Sequence, residues 1–156
     1  MNLLHDVDPG SAEKMNVVVE IPRGSNNKYE IDKESGLIKL DRVLHSAQTF
    51  PFDYGFVPQT LWDDGDALDV MILTTNPLAS GILLTVRPVA IMHMIDGGES
   101  DDKIIGVPID DPRWNEVKDL ADIIEGSRYE VIDGSGHIPC VDNSAALSKI
   151  IIDFIK

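Results

Sequence analysis

Apolar and polar residues alternate in short runs along most of the chain, a pattern typical of β-strands rather than long helices. Residues 33–36 form a short connection between two of these runs, which predicts a β-hairpin. Pro88 interrupts the longest run and predicts a bulge or an edge position there. Up to residue 124, the runs predict strands at residues 16–21, 28–32, 37–44, 67–74, 82–95 and 104–107.

Helix signals are concentrated in the later part of the chain. Asp110, Asp111 and Pro112 have the form of a helix start, with Asp as N-cap and Pro in the first turn. Residues 119–124 resemble a second start, and a terminal helix is predicted from about residue 143 by an apolar stripe at helical spacing. The order of elements predicts a mainly β (α+β) fold, namely a small closed or partly open β-barrel with helices packed outside.

Length and charge narrow the function classes. The chain has 156 residues, enough for one domain over residues 1–156. Its net charge of −14 predicts that neither nucleic acid nor an anionic membrane is a partner. Cys140 is the single cysteine, which excludes an internal disulfide and a cysteine-rich metal site. With no signal-peptide pattern and no apolar run of about 20 residues, the expected location is the cytoplasm.

An acidic loop stands directly before the apolar run 70–73. Four carboxylates, those of Asp63, Asp64, Asp66 and Asp69, lie within seven residues. Neighbouring carboxylates repel and raise each other's pKa, so a cation is expected between them. Ligands that are all oxygen suit Mg²⁺ or Mn²⁺ rather than Zn²⁺. Taken alone, the loop could equally be a solvated acidic turn.

A second acidic, glycine-rich loop at 96–103 repeats this arrangement before the next strand and ends in Lys103. Glu20 and Glu30 add two further carboxylates. Lys28 and Glu30 project from one face of their strand, either as a simple ion pair or toward a shared site. Carboxylates together with Lys and Arg predict a metal–phosphate site, in which metals neutralise substrate oxygens and can lower the pKa of a bridging water.

Seven stretches resemble a known family: 19–22, 28–33, 40–43, 54–55, 64–70, 87–89 and 96–103. On these motifs, residues 1 to about 123 resemble a family I soluble inorganic pyrophosphatase of bacterial or archaeal type. The resemblance implies an OB-like five-stranded β-barrel with flanking helices and a C-terminal strand and helix. It also implies Mg²⁺-dependent hydrolysis of pyrophosphate to two phosphates, with two or more Mg²⁺ per site and Mn²⁺ possible.

The same resemblance implies roles for individual residues, carried over position by position. Asp66 resembles the family's base for the nucleophilic water, and Asp63 is its solvated neighbour. The main metal pair would be held by Asp64, Asp69 and Asp101. Ligands of further metals, or residues next to them, would be Asp96, Glu20 and Glu30. The phosphate-binding groups would be Lys28, Arg42, Tyr54 and Lys103.

The chain departs from the family pattern after residue 124. The family usually continues with a helix carrying His-Phe-Phe-Glu-x-Tyr-Lys, and no such motif follows here. Because that Tyr-Lys pair binds substrate phosphate, the predicted activity could be weakened. The alternative is a catalytically impaired metal- and phosphate-binding module. A homo-oligomer is expected, but the family's hexamer does not follow for this chain, since its contacts involve the missing helix.

The tail, residues 125–156, has two interpretations. Its predicted strand 127–133 and terminal helix could be the family's own last elements after a deletion. They also resemble the end of an α/β-hydrolase, with His137 at the position of a triad histidine. That resemblance gives a third hypothesis, an ester hydrolase fragment. No G-x-S-x-G nucleophile motif is present, which favours a loop histidine without a catalytic role.

Overall fold

The computed structural model describes residues 1–119, and within them it is almost entirely β-structure. One short 3₁₀ helix, Pro112–Trp114, follows the last strand, with Asp111 as its N-cap as the sequence predicts. The predicted strand 127–133 and the helices expected after residue 119 lie outside the described residues. The strands are β1 (Gly10–Ser11), β2 (Lys14–Ile21), β3 (Asn27–Ile31), β4 (Ile38–Val43), β5 (Asp53–Phe56), β6 (Asp69–Ile72), β7 (Leu83–Met92), β8 (Ile95–Asp96), β9 (Glu99–Ser100) and β10 (Lys103–Pro108).

Five of the strands close into a barrel in the order β2-β5-β6-β10-β7, with β7 pairing back onto β2. Every pair is antiparallel except β6 with β10, which is parallel. The closed five-stranded barrel and the mainly β class predicted from the sequence are thereby confirmed. Strand β1 adds to the edge of β2, while β3–β4 and β8–β9 form separate two-stranded hairpins. Within residues 1–119 no helix has the length and apolarity needed to cross a membrane.

Strand β2 is buried on both faces, which explains its continuous run of β-branched residues. Val17 and Val19 pack into the barrel interior with Val70 and Val86. Val18 points the other way and packs with Leu4 and Phe56 in a second cluster, against which the β3–β4 hairpin is placed. A strand buried on both faces is expected to lack polar alternation. The second cluster thereby fixes the hairpin against the barrel.

Two local features adapt the backbone of the barrel. The pairing of β10 with β7 skips one residue at Val89, directly after Pro88, which confirms the predicted bulge. At Gly55, β5 approaches β2 so closely that a Cβ atom would lie 2.2 Å from the Val18 carbonyl oxygen. Only glycine fits this close strand pairing without movement of the backbone.

Candidate active site

The parallel pairing of β6 with β10 brings the ends of the two acidic loops together. Asp69 begins β6, Lys103 begins β10, and the two residues are register partners. The Lys103 ammonium donates hydrogen bonds to the carboxylates of both Asp69 and Asp101. The Tyr54 hydroxyl, on β5, donates to the same Asp69 oxygen at 2.5 Å. Four residues predicted as site residues therefore form one contact group, although they come from three strands and a loop.

The protonation states of this group follow from burial and from its hydrogen bonds. Burial raises the pKa of Asp69, against the hydrogen bonds from Lys103 and Tyr54 that lower it. Burial and the Asp69 charge raise the pKa of Tyr54, so its phenol stays a donor. For Lys103, burial lowers the pKa, but the hydrogen bonds to Asp101 and Asp69 prevail and raise it. Lys103 is therefore an ammonium and Tyr54 a neutral phenol at physiological pH.

Glu20, on β2, is the most deeply buried carboxylate of the site, with 6% of its surface exposed. Its side chain accepts a hydrogen bond from the Ile31 amide at 2.6 Å. Burial first, then the charges of Asp69 and Glu30, raise its pKa to about 8, while the Ile31 hydrogen bond and the Lys28 charge act in the opposite direction. Neighbouring carboxylates therefore oppose the ionisation of Glu20, in addition to the cost of its burial.

Lys28 and Glu30 lie on the same face of β3, as the strand pattern predicts. Lys28 Nζ lies 2.5 Å from Glu30 Oε1. The charges of both residues also act on the Glu20 carboxyl. The first alternative for this pair, an ion pair, is therefore confirmed, and its place in a shared site stays a prediction.

The first acidic loop has its own set of contacts. The Asp66 amide donates to Asp64 Oδ1 at 2.9 Å, and Gly65 between them has a φ of +83°. Lys33, in the β3–β4 turn, lies 2.5 Å from Asp66 Oδ1 and donates to the Gly65 carbonyl at 3.1 Å. Both charged side chains of this ion pair are about 60% exposed, Lys33 at 60% and Asp66 at 62%. Lys33 thus links the hairpin to the loop that carries Asp64 and Asp66.

Some predicted site residues are not joined to the Lys103 group. Arg42 is exposed and pairs with its neighbour Asp41 at 3.2 Å. Asp96 lies on β8, paired through the backbone with Glu99. Among residues 1–119, no hydrogen bond or ion pair connects Asp64, Asp66, Arg42 or Asp96 with that group. Within the same range, hydrogen bonds join Tyr54, Asp69, Asp101 and Lys103, while Glu20 is connected to this group only through charge effects, such as that of Asp69 on its pKa, and Lys28 and Glu30 only through their effects on Glu20.

The family described as "Inorganic pyrophosphatase" matches residues 17–133, three quarters of the chain. The chain belongs to the inorganic pyrophosphatase family. This match confirms the resemblance found in the sequence. It also includes residues 125–133, the first part of the tail. The resemblance of the tail to an α/β-hydrolase stays a prediction, because His137 and its surroundings lie outside the described residues.

Relatives within the family are similar over most of this chain. The soluble inorganic pyrophosphatase of Oryza sativa is 50% identical over 121 residues, covering 76% of this chain and 56% of that protein. The inorganic pyrophosphatase of Synechocystis is 50% identical over 118 residues, covering 76% and 69% respectively. The crystal structure of the enzyme from Thermus thermophilus has a TM-score of 0.75 at 46% identity, covering 81% of this chain and 73% of that one. The chain therefore spans little more than half the length of the rice relative.

The donor chemistry of the site fits a hard divalent cation. The candidate ligands are all carboxylates, the oxygen donors that Mg²⁺ and Mn²⁺ prefer. Burial chiefly, with smaller contributions from neighbouring carboxylates, raises the pKa of Glu20 and of Asp69, so a cation bound here would favour their ionised, ligating forms. The Lys103 ammonium already places one positive charge between Asp69 and Asp101. Within residues 1–119, no three acidic or histidine side chains are already gathered as a metal site.

Sequence reasoning missed two polar clusters near this site. Asp53, fully buried beside Tyr54, accepts hydrogen bonds from the backbone amides of Arg23 and Leu78 and from the Thr74 hydroxyl. The only sequence signal for this cluster is the carboxylate of Asp53 at the start of β5, within an otherwise mostly aromatic and apolar segment. The second cluster is centred on Asp102. Although burial alone would raise its pKa, hydrogen bonds from His93, Met94 and Ser100 lower it.

Proposed function

We propose that this chain hydrolyses inorganic pyrophosphate to two phosphates in a Mg²⁺-dependent reaction. The observation that carries the proposal lies at one end of a pyrophosphatase-family barrel, where Lys103 contacts the carboxylates of Asp69 and Asp101 and Tyr54 donates to that of Asp69. Donors and carboxylates in one place suit an anionic substrate that arrives with a divalent metal. The metal also resolves the conflict between a chain of net charge −14 and a substrate that is itself an anion.

The carboxylates are the proposed metal ligands. Asp64, Asp69 and Asp101 would hold the main pair of Mg²⁺ ions. Asp96, Glu20 and Glu30 would hold further metals or orient their ligands, and Mn²⁺ is a possible substitute. When bound, the metals neutralise phosphate oxygens and make a water molecule acidic enough to react. The burial of Glu20 and Asp69 strengthens their electrostatic interactions, because the effective dielectric constant is lower there than in water.

Four residues would bind the phosphate groups. Lys103 remains protonated because hydrogen bonds to two carboxylates outweigh its burial and raise its pKa. Tyr54 remains a neutral donor, because burial and the Asp69 charge raise its pKa. Lys28 supplies a point charge from β3. Arg42, on the same hairpin, offers a planar fork of donors that can bind two phosphate oxygens at once.

Asp66 is the proposed general base. An exposed carboxylate accepts hydrogen bonds readily, and Asp66 is 62% exposed in its side chain. It would take the proton from the attacking water as the new oxygen–phosphorus bond forms and the bridging P–O bond breaks, with the second phosphate as the leaving group. Lys33, which contacts Asp66 and the Gly65 carbonyl, would keep the loop near the hairpin that carries Lys28 and Arg42.

A phosphate-release assay tests this function. Purified chain is given pyrophosphate with Mg²⁺ or with a chelator, as wild type, Asp66→Asn and Asp63→Asn. Asp63→Asn is the matched control, because Asp63 is exposed on the same loop. Mg²⁺-dependent release that Asp66→Asn reduces at least 100-fold and Asp63→Asn leaves within about twofold is the expected result. Binding of Mg²⁺ and pyrophosphate without release would instead identify a binding module.

Three further statements belong to the same proposal. Residues 1–156 would form one pyrophosphatase domain, the chain would act in the cytoplasm, and it would assemble as a homo-oligomer. The names of the relatives, which include soluble enzymes, support the location. Light scattering coupled to gel filtration measures the subunit number directly. A monomer at micromolar concentration would exclude the assembly.

A further inference from the structure

The hairpin β8–β9 carries one proposed metal ligand, Asp96, and leads directly into another, Asp101. Each of its strands has only two residues. Hairpins of this size are marginal on their own and need additional contacts to hold one geometry. The contacts at its base therefore decide how steadily Asp101 is presented to Lys103 and Asp69.

Met94, directly before β8, is linked by hydrogen bonds to the segment that follows β9. The Asp101 amide donates to the Met94 carbonyl at 2.9 Å. The Met94 amide, in turn, donates to Asp102 Oδ1 at 3.1 Å. One residue of the incoming leg is thus held twice, once by the backbone of Asp101 and once by the side chain of Asp102. These two hydrogen bonds hold the segments before and after the hairpin together next to Asp101.

The other Asp102 oxygen extends the contact to His93, whose Nδ1 lies 2.9 Å from Oδ2. The Asp102 side chain is only 12% exposed, whereas the imidazole of His93 is 66% exposed. Asp101 and Lys103 both contact the site group, and Asp102, between them, contacts the opposing leg instead. This is the alternation expected of an extended segment, with one face toward the site and the other toward its neighbour.

We propose that Asp102 is a positioning residue, which fixes the base of the β8–β9 hairpin and thereby the direction of Asp101 and Lys103. In this role Asp102 would act through its contacts with Met94 and His93 and not as a ligand of metal or substrate. This inference rests on the proposed function, since it assigns Asp101 and Lys103 their roles in the site. Residues that orient metal ligands in this way commonly change metal affinity by about 10- to 100-fold when they are substituted.

The test uses the full chain in three variants. Asp102→Ala removes both acceptors. Asp102→Asn keeps an oxygen that can accept from the Met94 amide. Glu99→Gln removes a carboxylate charge from an exposed position on the same hairpin and serves as the matched control. Amide hydrogen exchange is followed by NMR at Asp101, and Mg²⁺ binding is measured by calorimetry.

We expect Asp102→Ala to accelerate amide exchange at Asp101 at least tenfold and to weaken Mg²⁺ binding about tenfold. Asp102→Asn should keep most of the wild-type amide protection at Asp101 and most of the wild-type Mg²⁺ affinity. Glu99→Gln should stay within twofold of wild type in both measurements. Unchanged exchange at Asp101 in Asp102→Ala would overturn the proposal. An equal effect of Glu99→Gln would also overturn it, because the cause would then be charge alone. If Asp102→Ala does not fold, Asp102→Leu, which keeps a side chain of similar shape but has no acceptor, takes its place under the same criteria.

Failure of the proposed function has a separate signature. Amide exchange at Asp101 requires neither metal nor substrate, so it judges the positioning role even if wild type releases no phosphate. Conversely, wild-type phosphate release with unchanged Asp101 exchange in both Asp102 variants would leave the hydrolase intact and remove only the role of Asp102.

Discussion

Lys103 and Asp69 are register partners in the parallel pair of β10 with β6, and the ammonium of one donates to the carboxylate of the other across 34 positions of sequence. Strand pairing alone brings them together. Asp69 is the last carboxylate of the first acidic loop and the first residue of β6. Lys103 ends the second acidic loop and is the first residue of β10. The parallel direction therefore places the two loops at one end of the barrel, where an antiparallel pair would have placed them at opposite ends.

Replacing Lys103 tests this relationship. Lys103→Met removes the ammonium shared by Asp69 and Asp101 and leaves two partly buried carboxylates without it. The free energy of unfolding should fall by about 3 kcal/mol, measured by urea denaturation in a chelator. Lys39→Met, at an exposed lysine of β4, is the control and should change stability by less than 1 kcal/mol. Equal effects of the two variants would contradict the assigned role of Lys103.

The pH dependence of stability tests Glu20. Its folded pKa, raised chiefly by burial to about 8, exceeds the ordinary value of 4.5, so the folded state binds the extra proton. Stability in a chelator should therefore fall as the pH rises from about 5 to about 8. Glu20→Gln should flatten this fall, and Glu34→Gln, at an exposed position, should not. Parallel stability–pH curves for wild type and Glu20→Gln would show that the carboxyl is not perturbed.

The close pairing of β5 with β2 at Gly55 gives a prediction about stability alone. Gly55→Ala would set a Cβ atom 2.2 Å from the Val18 carbonyl oxygen, so the barrel must open locally. Thermal and urea unfolding should report a loss of about 3 kcal/mol. Gly97→Ala is the comparison, since open space surrounds that position and only its φ of +58° opposes a side chain. Its expected loss is about 1 kcal/mol.

Tyr54→Phe removes one hydroxyl that donates to Asp69 and is proposed to bind phosphate. A hydrogen bond to a charged group contributes about 1.5–3 kcal/mol, so kcat/KM for pyrophosphate should fall at least tenfold. Tyr29→Phe is the matched control. Its hydroxyl accepts from the Asn27 side chain at 2.9 Å and has no contact with the Lys103 group. A similar loss in both variants would remove the specific role of Tyr54.

Strands β2, β3, β4, β6, β7 and β10, the β3–β4 hairpin and a small barrel followed from alternating or β-branched runs in the sequence. Strand β5 has only four residues and lies in an irregular aromatic, proline-rich segment, and the count of five barrel strands came from the family resemblance. Strands β1, β8 and β9 have two residues each, too few for a periodic signal. The grouping of Asp69, Asp101 and Lys103 came from family motifs, and strand order supplied their contacts. The roles of Lys33 and Asp102 were not predicted, since local sequence does not specify which backbone groups a side chain meets in the folded chain.

Mg²⁺-dependent hydrolysis is decided by phosphate release from pyrophosphate by the wild-type chain, followed through Mg²⁺ addition, chelation and renewed addition. We expect release that starts with Mg²⁺, stops with the chelator and resumes when Mg²⁺ is restored. A folded chain that binds Mg²⁺ and pyrophosphate yet releases no phosphate in any phase would contradict it.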